Sequence, residues 1–131
     1  MQPVGAAARQ EIAAGLAAAR AGRMDDALAA FERAIAAEPE CAAAHNNAGL
    51  VHAQQRDSAK AIAAFRRAIT LDDTNADYHV NLAAELLSSD AVDEADAACR
   101  DALRLAPWDR QAAALREEIR SRNRSTSRGS E

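Results

Sequence analysis

A repeat of 34 positions constrains the fold of this chain more than any other feature of its sequence. Small residues, one large core residue and two alanines recur at this spacing. The recurring positions are Gly15, Gly49 and Ala83; Phe31, Phe65 and Cys99; Ala27, Ala61 and Ala95; and Ala34, Ala68 and Ala102. Such a period indicates stacked units, because a single short unit cannot cover its own apolar face.

Residues 44–75 show what one unit is. Apolar side chains recur at spacings of three and four on both sides of Arg56-Asp57-Ser58, which predicts two amphipathic helices joined by a turn. Gly49 lets the two helices approach closely, and Phe65 fills the space that remains between them. The unit is therefore a helical hairpin. With only 3% aromatic residues and abundant alanine, the best helix former, the composition also favours an all-α fold.

The order of small residue, aromatic residue, alanine and proline within each period resembles the tetratricopeptide repeat family. Pro39 and Pro107 end the first and third units, and Asp73 stands at the corresponding place in the second. The resemblance extends from Ala8 to Asp109 and implies a right-handed α-solenoid of three hairpins. The expected segments are a flexible N-terminus (1–7), three repeats (8–41, 42–75 and 76–109), a capping helix (110–122) and a disordered Ser/Arg-rich tail (123–131).

The residues at the turns give four local expectations. Gly22 is expected to end the first helix with a positive φ. Asp57 or Ser58 is expected to cap the fourth helix, and Thr74 with Asp77 to form a capping box before the fifth. Trp108 is expected to pack at the hinge before the capping helix, which covers the terminal apolar face of the solenoid.

The net charge and the distribution of apolar residues limit which classes of partner the protein is expected to bind. A net charge of −4 argues against nucleic-acid binding, because a phosphate-binding surface is basic. No apolar run is long enough to span a bilayer, and the first residues do not have the pattern of a signal peptide, so we expect a cytoplasmic protein without a membrane partner. Cys41 and Cys99 stand in distant layers, and we expect both to remain reduced.

The sequence predicts neither a catalytic residue nor a bound metal or cofactor. Cys41 and His45 lie one helical turn apart, but no second pair completes a metal site, and no oxyanion donors or buried acid accompany the thiol. His45, His52 and His79 occupy positions where half-buried packing is expected. We therefore expect a protein that is not an enzyme.

The family resemblance implies that the first helix of each hairpin lines a concave groove. The predicted peptide-binding residues are Arg9, Ile12, Leu16, Arg20, Asn46, Asn47, Leu50, Gln54, Asp77, Val80 and Asn81. Asn47 and Asn81 are one period apart, within AHNNAGL and YHVNLAA, and they resemble the asparagine ladder of the repeats attached to O-GlcNAc transferases. The resemblance implies that their carboxamides hold a peptide backbone, without transferase activity; solvation or bonding to neighbouring helices is the alternative.

The groove residues also bear on which partner is expected. Relatives that bind the acidic tails of heat-shock chaperones carry lysine, asparagine and arginine at five groove positions, where this chain has Ile12, Leu16, Asn47, Asp77 and Asn81. Only Asn47 agrees, which argues against a chaperone-tail adaptor.

The sequence therefore predicts a non-catalytic module that binds a peptide or helical segment of a partner protein, with acidic residues of the ligand near Arg9 and Arg20. The alternative is a scaffold protein that self-associates into a homo-oligomer through the open face of the first helix and the region of Trp108.

Overall fold

The computed structural model describes residues 4–129, which form seven α-helices and no strand. Their bounds are α1 (Ala6–Arg20), α2 (Met24–Ala37), α3 (Ala42–Gln54), α4 (Ser58–Leu71), α5 (Ala76–Ser88), α6 (Val92–Leu105) and α7 (Arg110–Gly129). The predicted all-α fold is confirmed. Within the described residues, no helix has both the length and the apolar character to cross a membrane.

The helices group into two compact units, which divide the chain between Asp73 and Thr74. The N-terminal unit contains α1–α4, in which α1 packs on α2, α2 on α3, and α3 on α4. The C-terminal unit contains α5–α7, in which α5 and α6 form a hairpin and α7 packs on both. Ile119, buried on α7, and the α6 residue Cys99 are the largest fully buried side chains of this unit.

The first two hairpins are each closed by a match between a glycine on the first helix and a phenylalanine on the second. A β-carbon added at Gly49 would lie 2.7 and 2.8 Å from ring atoms of Phe65, closer than such atoms approach. A β-carbon at Gly15 would overlap the ring of Phe31 in the same way. The glycines are therefore required by packing, because each lets a ring fill the space beside the helix backbone.

The turn inside each hairpin has the same backbone geometry. Gly22 has a φ of 79°, as predicted for the end of α1, and Arg56 and Asp90 occupy the corresponding positions with φ values of 61° and 62°. In the first turn, the amide after Gly22 donates to the Ala18 carbonyl at 2.9 Å, which closes the last turn of α1. Only the first hairpin has glycine at this position.

The cap predicted for α4 is confirmed, whereas the cap predicted for α5 is wrong. Asp57 caps α4, because its side chain accepts a hydrogen bond from the Lys60 amide at 3.2 Å. The predicted capping box of Thr74 and Asp77 is wrong. Asn75 is the cap of α5 and accepts from the Asp77 amide at 3.0 Å, since α5 begins at Ala76 and Thr74 lies one position too early.

At both ends of residues 4–129, the helical structure extends further than the sequence suggests. Val4 packs against a buried cluster of the N-terminal unit, and the Gly5 amide donates to Glu38 at 3.0 Å. The predicted flexible segment of residues 1–7 is therefore too long, because α1 begins at Ala6; residues 1–3 lie outside the described part of the chain.

The predicted boundary at residue 122 is also wrong, because α7 continues to Gly129. Arg122 pairs with Glu118 at 2.9 Å, Arg124 pairs with Glu117 at 3.4 Å, and the Thr126 hydroxyl donates to the Arg122 carbonyl at 3.0 Å. These local interactions extend the helix without apolar contacts. Of the predicted disordered tail, residues 130–131 lie outside the described part of the chain.

Candidate functional site

A pocket opens on the N-terminal unit between the first helices of its two hairpins. We call it the α1–α3 pocket, and its volume is about 130 Å³. Most of its lining is apolar, and three helices contribute to it. The lining residues are Leu16 and Ala19 of α1, Met24 and Phe31 of α2, and Asn47, Leu50, Val51 and Gln54 of α3.

The repeat explains why the pocket forms at this place. Leu16 and Leu50 are one period apart and project from equivalent positions of α1 and α3. Phe31 is buried and packs with Ala48 and Val51 in one core cluster, so part of the pocket wall is held by the hydrophobic core. The wall is therefore set by the packing of the two hairpins, and it does not depend on a loop.

The apolar wall of the pocket is open to solvent. Leu16 is 36% exposed and Leu50 is 39% exposed, although both are large apolar side chains. Asn47 and Gln54 line the same pocket from α3, and each carboxamide offers both a donor and an acceptor. The site can therefore bury an apolar group and bond to polar atoms attached to it, which is the combination that peptide-binding grooves use.

Four of the predicted groove residues meet in this pocket, namely Leu16, Asn47, Leu50 and Gln54. Arg9 and Arg20 are exposed on α1, before and after Leu16 at helical spacings. The side chains of two other predicted residues of this unit lie at least partly in the protein interior. Ile12 packs against two buried clusters, and Asn46 is buried. These two side chains serve packing more than ligand contact.

The other three predicted residues belong to the C-terminal unit. Asp77 is exposed and Asn81 is partly buried. Val80 is 2% exposed because it packs with Ala102 and Ala112 in a core cluster. We therefore correct the sequence-based assignment of Val80: its side chain belongs to the core beneath α7. The ladder of Asn47 and Asn81 remains a prediction.

Sequence reasoning missed part of the pocket wall. Met24 begins α2, and the equivalent positions in the other hairpins hold Ser58 and Val92. The available signal was a methionine at the start of α2 together with Leu16, an exposed leucine one turn before the end of α1. Ala19 and Val51 carry no comparable signal, because their spacing is that of ordinary core residues.

Nucleophilic cysteines have a lowered thiol pKa, whereas the pKa of both thiols in this protein is raised. Burial raises the pKa of Cys41, and burial with the nearby Asp96 carboxylate raises the pKa of Cys99 to about 11. The His45 Nε2 atom donates to the Pro39 carbonyl at 2.9 Å, which ties the imidazole to the preceding turn. Over residues 4–129, no three His, Cys, Asp or Glu side chains group as metal ligands would.

Comparison with known families agrees with this architecture. The sequence profile of the tetratricopeptide repeat matches residues 12–76, which covers α1 from its second turn, the whole of α2–α4 and the start of α5. The chain belongs to the tetratricopeptide repeat family. Among curated proteins, none matches it in sequence. The structure adds a third hairpin beyond the matched residues, formed by α5 and α6.

Solved structures of tetratricopeptide repeat domains share this fold. The Sgt2 domain from Aspergillus fumigatus has a TM-score of 0.90 at 14% identity, and the similarity covers 97% of this chain and 85% of that one. The second such domain of human RPAP3, solved in complex with the HSP70 peptide SGPTIEEVD, has a TM-score of 0.82 at 21% identity, covering 86% of this chain and 94% of that one. These similarities confirm an α-solenoid of tetratricopeptide hairpins.

A Thermobaculum terrenum O-GlcNAc transferase mutant also contains a similar region. Its TM-score is 0.78 at 27% identity, and the similarity covers 86% of this tetratricopeptide repeat chain but only 22% of the transferase. The shared part is therefore a small portion of that enzyme. Tetratricopeptide repeat domains are protein–protein interaction modules, and this chain has that architecture.

Proposed function

We propose that the α1–α3 pocket binds a peptide segment of a partner protein, with one apolar side chain of the peptide seated between Leu16 and Leu50. The observation that carries this proposal is the pocket itself: an apolar depression whose two leucines are exposed although the core beneath them is closed. Seating one leucine-sized side chain there contributes about 1.5–3 kcal/mol from burial of apolar surface.

Asn47 and Gln54 then hold the main chain of the bound segment. A carboxamide can accept from a peptide N–H and donate to a peptide C=O, so it recognises backbone without regard to the ligand's side chains. Each such hydrogen bond contributes about 0.5–1.5 kcal/mol net. The pocket selects for an apolar anchor, and the two carboxamides fix the direction of the chain that carries it.

The charges beside the pocket favour an acidic flank in the ligand. Arg9 and Arg20 are exposed on α1, whereas the nearby Glu11 is paired with Arg33 at 2.9 Å. The human RPAP3 domain has an acidic peptide as its partner, which supports a peptide ligand for this fold. The apolar Ile12 and Leu16 stand where the chaperone-binding relatives carry polar residues, so we propose a ligand with an internal apolar anchor.

The test is peptide selection followed by calorimetry. Peptides are selected on the full chain from a random display library, and the affinity of a selected peptide is compared for the unmodified protein, Leu50→Asp and Asn47→Ala. We expect Leu50→Asp to weaken binding roughly ten- to a hundredfold, and Asn47→Ala roughly two- to tenfold. Leu105→Asp is the matched control, because Leu105 is a leucine of almost equal exposure, 38%, on the other unit.

Equal loss of affinity in Leu50→Asp and Leu105→Asp would place the binding surface outside the pocket. Unchanged affinity in Leu50→Asp, with its helical circular dichroism intact, would refute the proposal. A selected set of peptides without a common apolar residue would refute the anchor, because the two exposed leucines would then not contribute to selection.

A further inference from the structure

The molecule carries an exposed aromatic side chain as well as an open apolar pocket. Trp108 is the only tryptophan, lies in the turn between α6 and α7, and is 79% exposed. This corrects the sequence-based expectation that it packs at the hinge. Leu105, at the end of α6 and three positions before Trp108, is 38% exposed. Tryptophan is enriched at protein interfaces, because its ring is apolar and its N–H can still donate a hydrogen bond.

The turn holds Trp108 in a defined place. The Asp109 amide donates to the Ala106 carbonyl at 3.0 Å, and the Asp109 side chain accepts from the Ala112 amide at 2.9 Å at the start of α7. Asp109, the residue after the tryptophan, is thereby tied both to the end of α6 and to the start of α7. Little backbone freedom is lost when such a side chain binds, which favours its use as a rigid anchor.

The volume of the α1–α3 pocket suits one six-membered aromatic ring, which is one of the two fused rings of an indole. Its volume of about 130 Å³ is well below the roughly 300–1,000 Å³ typical of sites for small organic ligands. It is close to the cavity of about 150 Å³ that accommodates benzene in an engineered protein core. Asn47 and Gln54 line the pocket and offer acceptors for an indole N–H.

We propose that Trp108 of one molecule seats in the α1–α3 pocket of a second copy, so that the protein self-associates head to tail. The proposal rests on the proposed function, since it names an occupant for the same pocket. The contact joins two different surfaces, and each molecule in a pair keeps one unused pocket and one unused tryptophan. The assembly therefore grows by addition unless its rotation closes a ring.

Charge supports this pairing. Arg20 is exposed on α1 one turn after Leu16, and Asp109, which follows Trp108 directly, carries the opposite charge. Arg104, which precedes Trp108, is paired with Asp101 at 2.8 Å. The exposed Arg110 follows Asp109, so the pairing orients the tryptophan with Asp109 towards Arg20 and with Arg110 away from it.

The area available predicts a weak contact. A buried tryptophan contributes roughly 150–250 Å² of surface, and Leu105 adds only part of its own, whereas a stable interface buries about 1,200–2,000 Å² in total. We therefore expect association in the range of roughly 10 µM to 1 mM. At this strength the self-contact yields to a partner peptide that binds the same pocket more tightly.

The test uses sedimentation and the fluorescence of the sole tryptophan over roughly 10 µM to 1 mM of the full chain. We expect the average mass to rise with concentration and the emission to shift to shorter wavelength as Trp108 leaves water. Trp108→Ala and Leu50→Asp should each remain monomeric. Both positions are solvent-exposed, and circular dichroism verifies that each variant keeps its helices.

Mixing the two variants distinguishes head-to-tail contact from other arrangements. Trp108→Ala keeps an intact pocket and Leu50→Asp keeps the tryptophan, so the mixture should form a one-to-one complex that neither variant forms with itself. Failure of the mixture to associate, or self-association of Leu50→Asp alone, would overturn the proposal. So would a short-wavelength emission that is independent of concentration, because the tryptophan would then be buried in its own chain.

A separate result shows whether only the self-contact has failed. If the unmodified protein stays monomeric at all concentrations while a selected peptide still requires Leu50, the pocket is a peptide site and Trp108 is not its occupant. If neither peptide nor second copy depends on Leu50, both proposals fall. Arg20→Glu tests the contribution of charge, and we expect this substitution to weaken self-association several-fold at low salt.

Discussion

At the scale of single residues, the hairpins are specified by volume. Gly15 and Gly49 face phenylalanine rings, and the third hairpin has Ala83 and Cys99 at the equivalent positions. The added methyl replaces only part of the volume that the change from phenylalanine to cysteine removes, and α5 also buries the large side chains Leu82, Leu86 and Leu87. The same reasoning explains why an interior helix glycine, normally unfavourable, is useful here.

Gly49→Ala gives the sharpest residue-scale test. In an exposed helix interior this substitution stabilises by up to about 1 kcal/mol, but here the new methyl meets the Phe65 ring, and we expect a loss of about 1–3 kcal/mol. Urea denaturation measures the change. Gly5→Ala is the control, because a β-carbon there lies at an ordinary 3.5 Å from Glu38. Stabilisation by Gly49→Ala would show that the ring is free to move aside.

The left-handed residue at the hairpin turns gives a second residue-scale prediction. Arg56 adopts a φ of 61° at the position that Gly22 occupies in the first hairpin. A side chain at such a φ costs roughly 1 kcal/mol, so Arg56→Gly should stabilise the protein by about that amount. Gly22→Ala should destabilise it similarly. Thermal unfolding followed by circular dichroism measures both, and changes of equal sign would contradict the argument.

At the scale of helices, the sequence pattern locates α1–α6 well because apolar periodicity and turn residues agree. It predicted the start of α7 but ended the helix at residue 122, because the Ser/Arg-rich end has no apolar face to predict a helix. The helix persists there through ion pairs such as Arg122 with Glu118, which depend on side-chain placement. Asn75 replaced Thr74 as a cap for a similar reason: either residue type can cap, and only the first helical position decides.

Ile119 is the α7 side chain through which this helix is fixed to the C-terminal unit. It is 2% exposed, and Ile119→Ala should destabilise the unit by about 2–5 kcal/mol through lost burial and a cavity. Far-UV circular dichroism during urea denaturation measures the change. Leu105→Ala is the control and should cost less than about 1 kcal/mol, because Leu105 is already partly in water. Equal effects would show that α7 is loosely attached.

The pocket illustrates what sequence can and cannot provide at this scale. Leu16 and Leu50 were predictable, because they repeat on the open side of α1 and α3. Met24 was not, because its contribution depends on how α2 is rotated beneath the two first helices. The burial of Val80 was not predictable from the sequence either, because it results from the packing of α7.

At the scale of the whole molecule, charge is unevenly divided. Residues 1–73 carry eight basic and nine acidic side chains, a net charge of −1, and residues 74–131 carry eight and eleven, a net charge of −3. The N-terminal unit is therefore the less acidic of the two. Its exposed Arg9 and Arg20 lie on the helix that also carries Leu16 of the pocket.

We therefore expect Arg20→Glu to change which peptides the protein selects. Acidic flanks should lose affinity roughly two- to tenfold at low salt and less at high salt, because ions screen charges across an exposed groove. Arg67→Glu on α4 is the control with the same change of net charge. Calorimetry with one acidic and one neutral peptide, both sharing the apolar anchor, measures the effect. Identical responses of the two variants would assign the preference to net charge alone.

The size match inside each hairpin also limits how the chain can mispair while it folds. If α2 were to pair with α5, the Phe31 ring would meet the methyl group of Ala83, where no space is provided for it. If α6 were to pair with α1, Cys99 would leave a void beside Gly15. Repeat proteins are prone to exchange equivalent elements. Here such exchange is discouraged for the third hairpin and permitted only between the two that share glycine and phenylalanine.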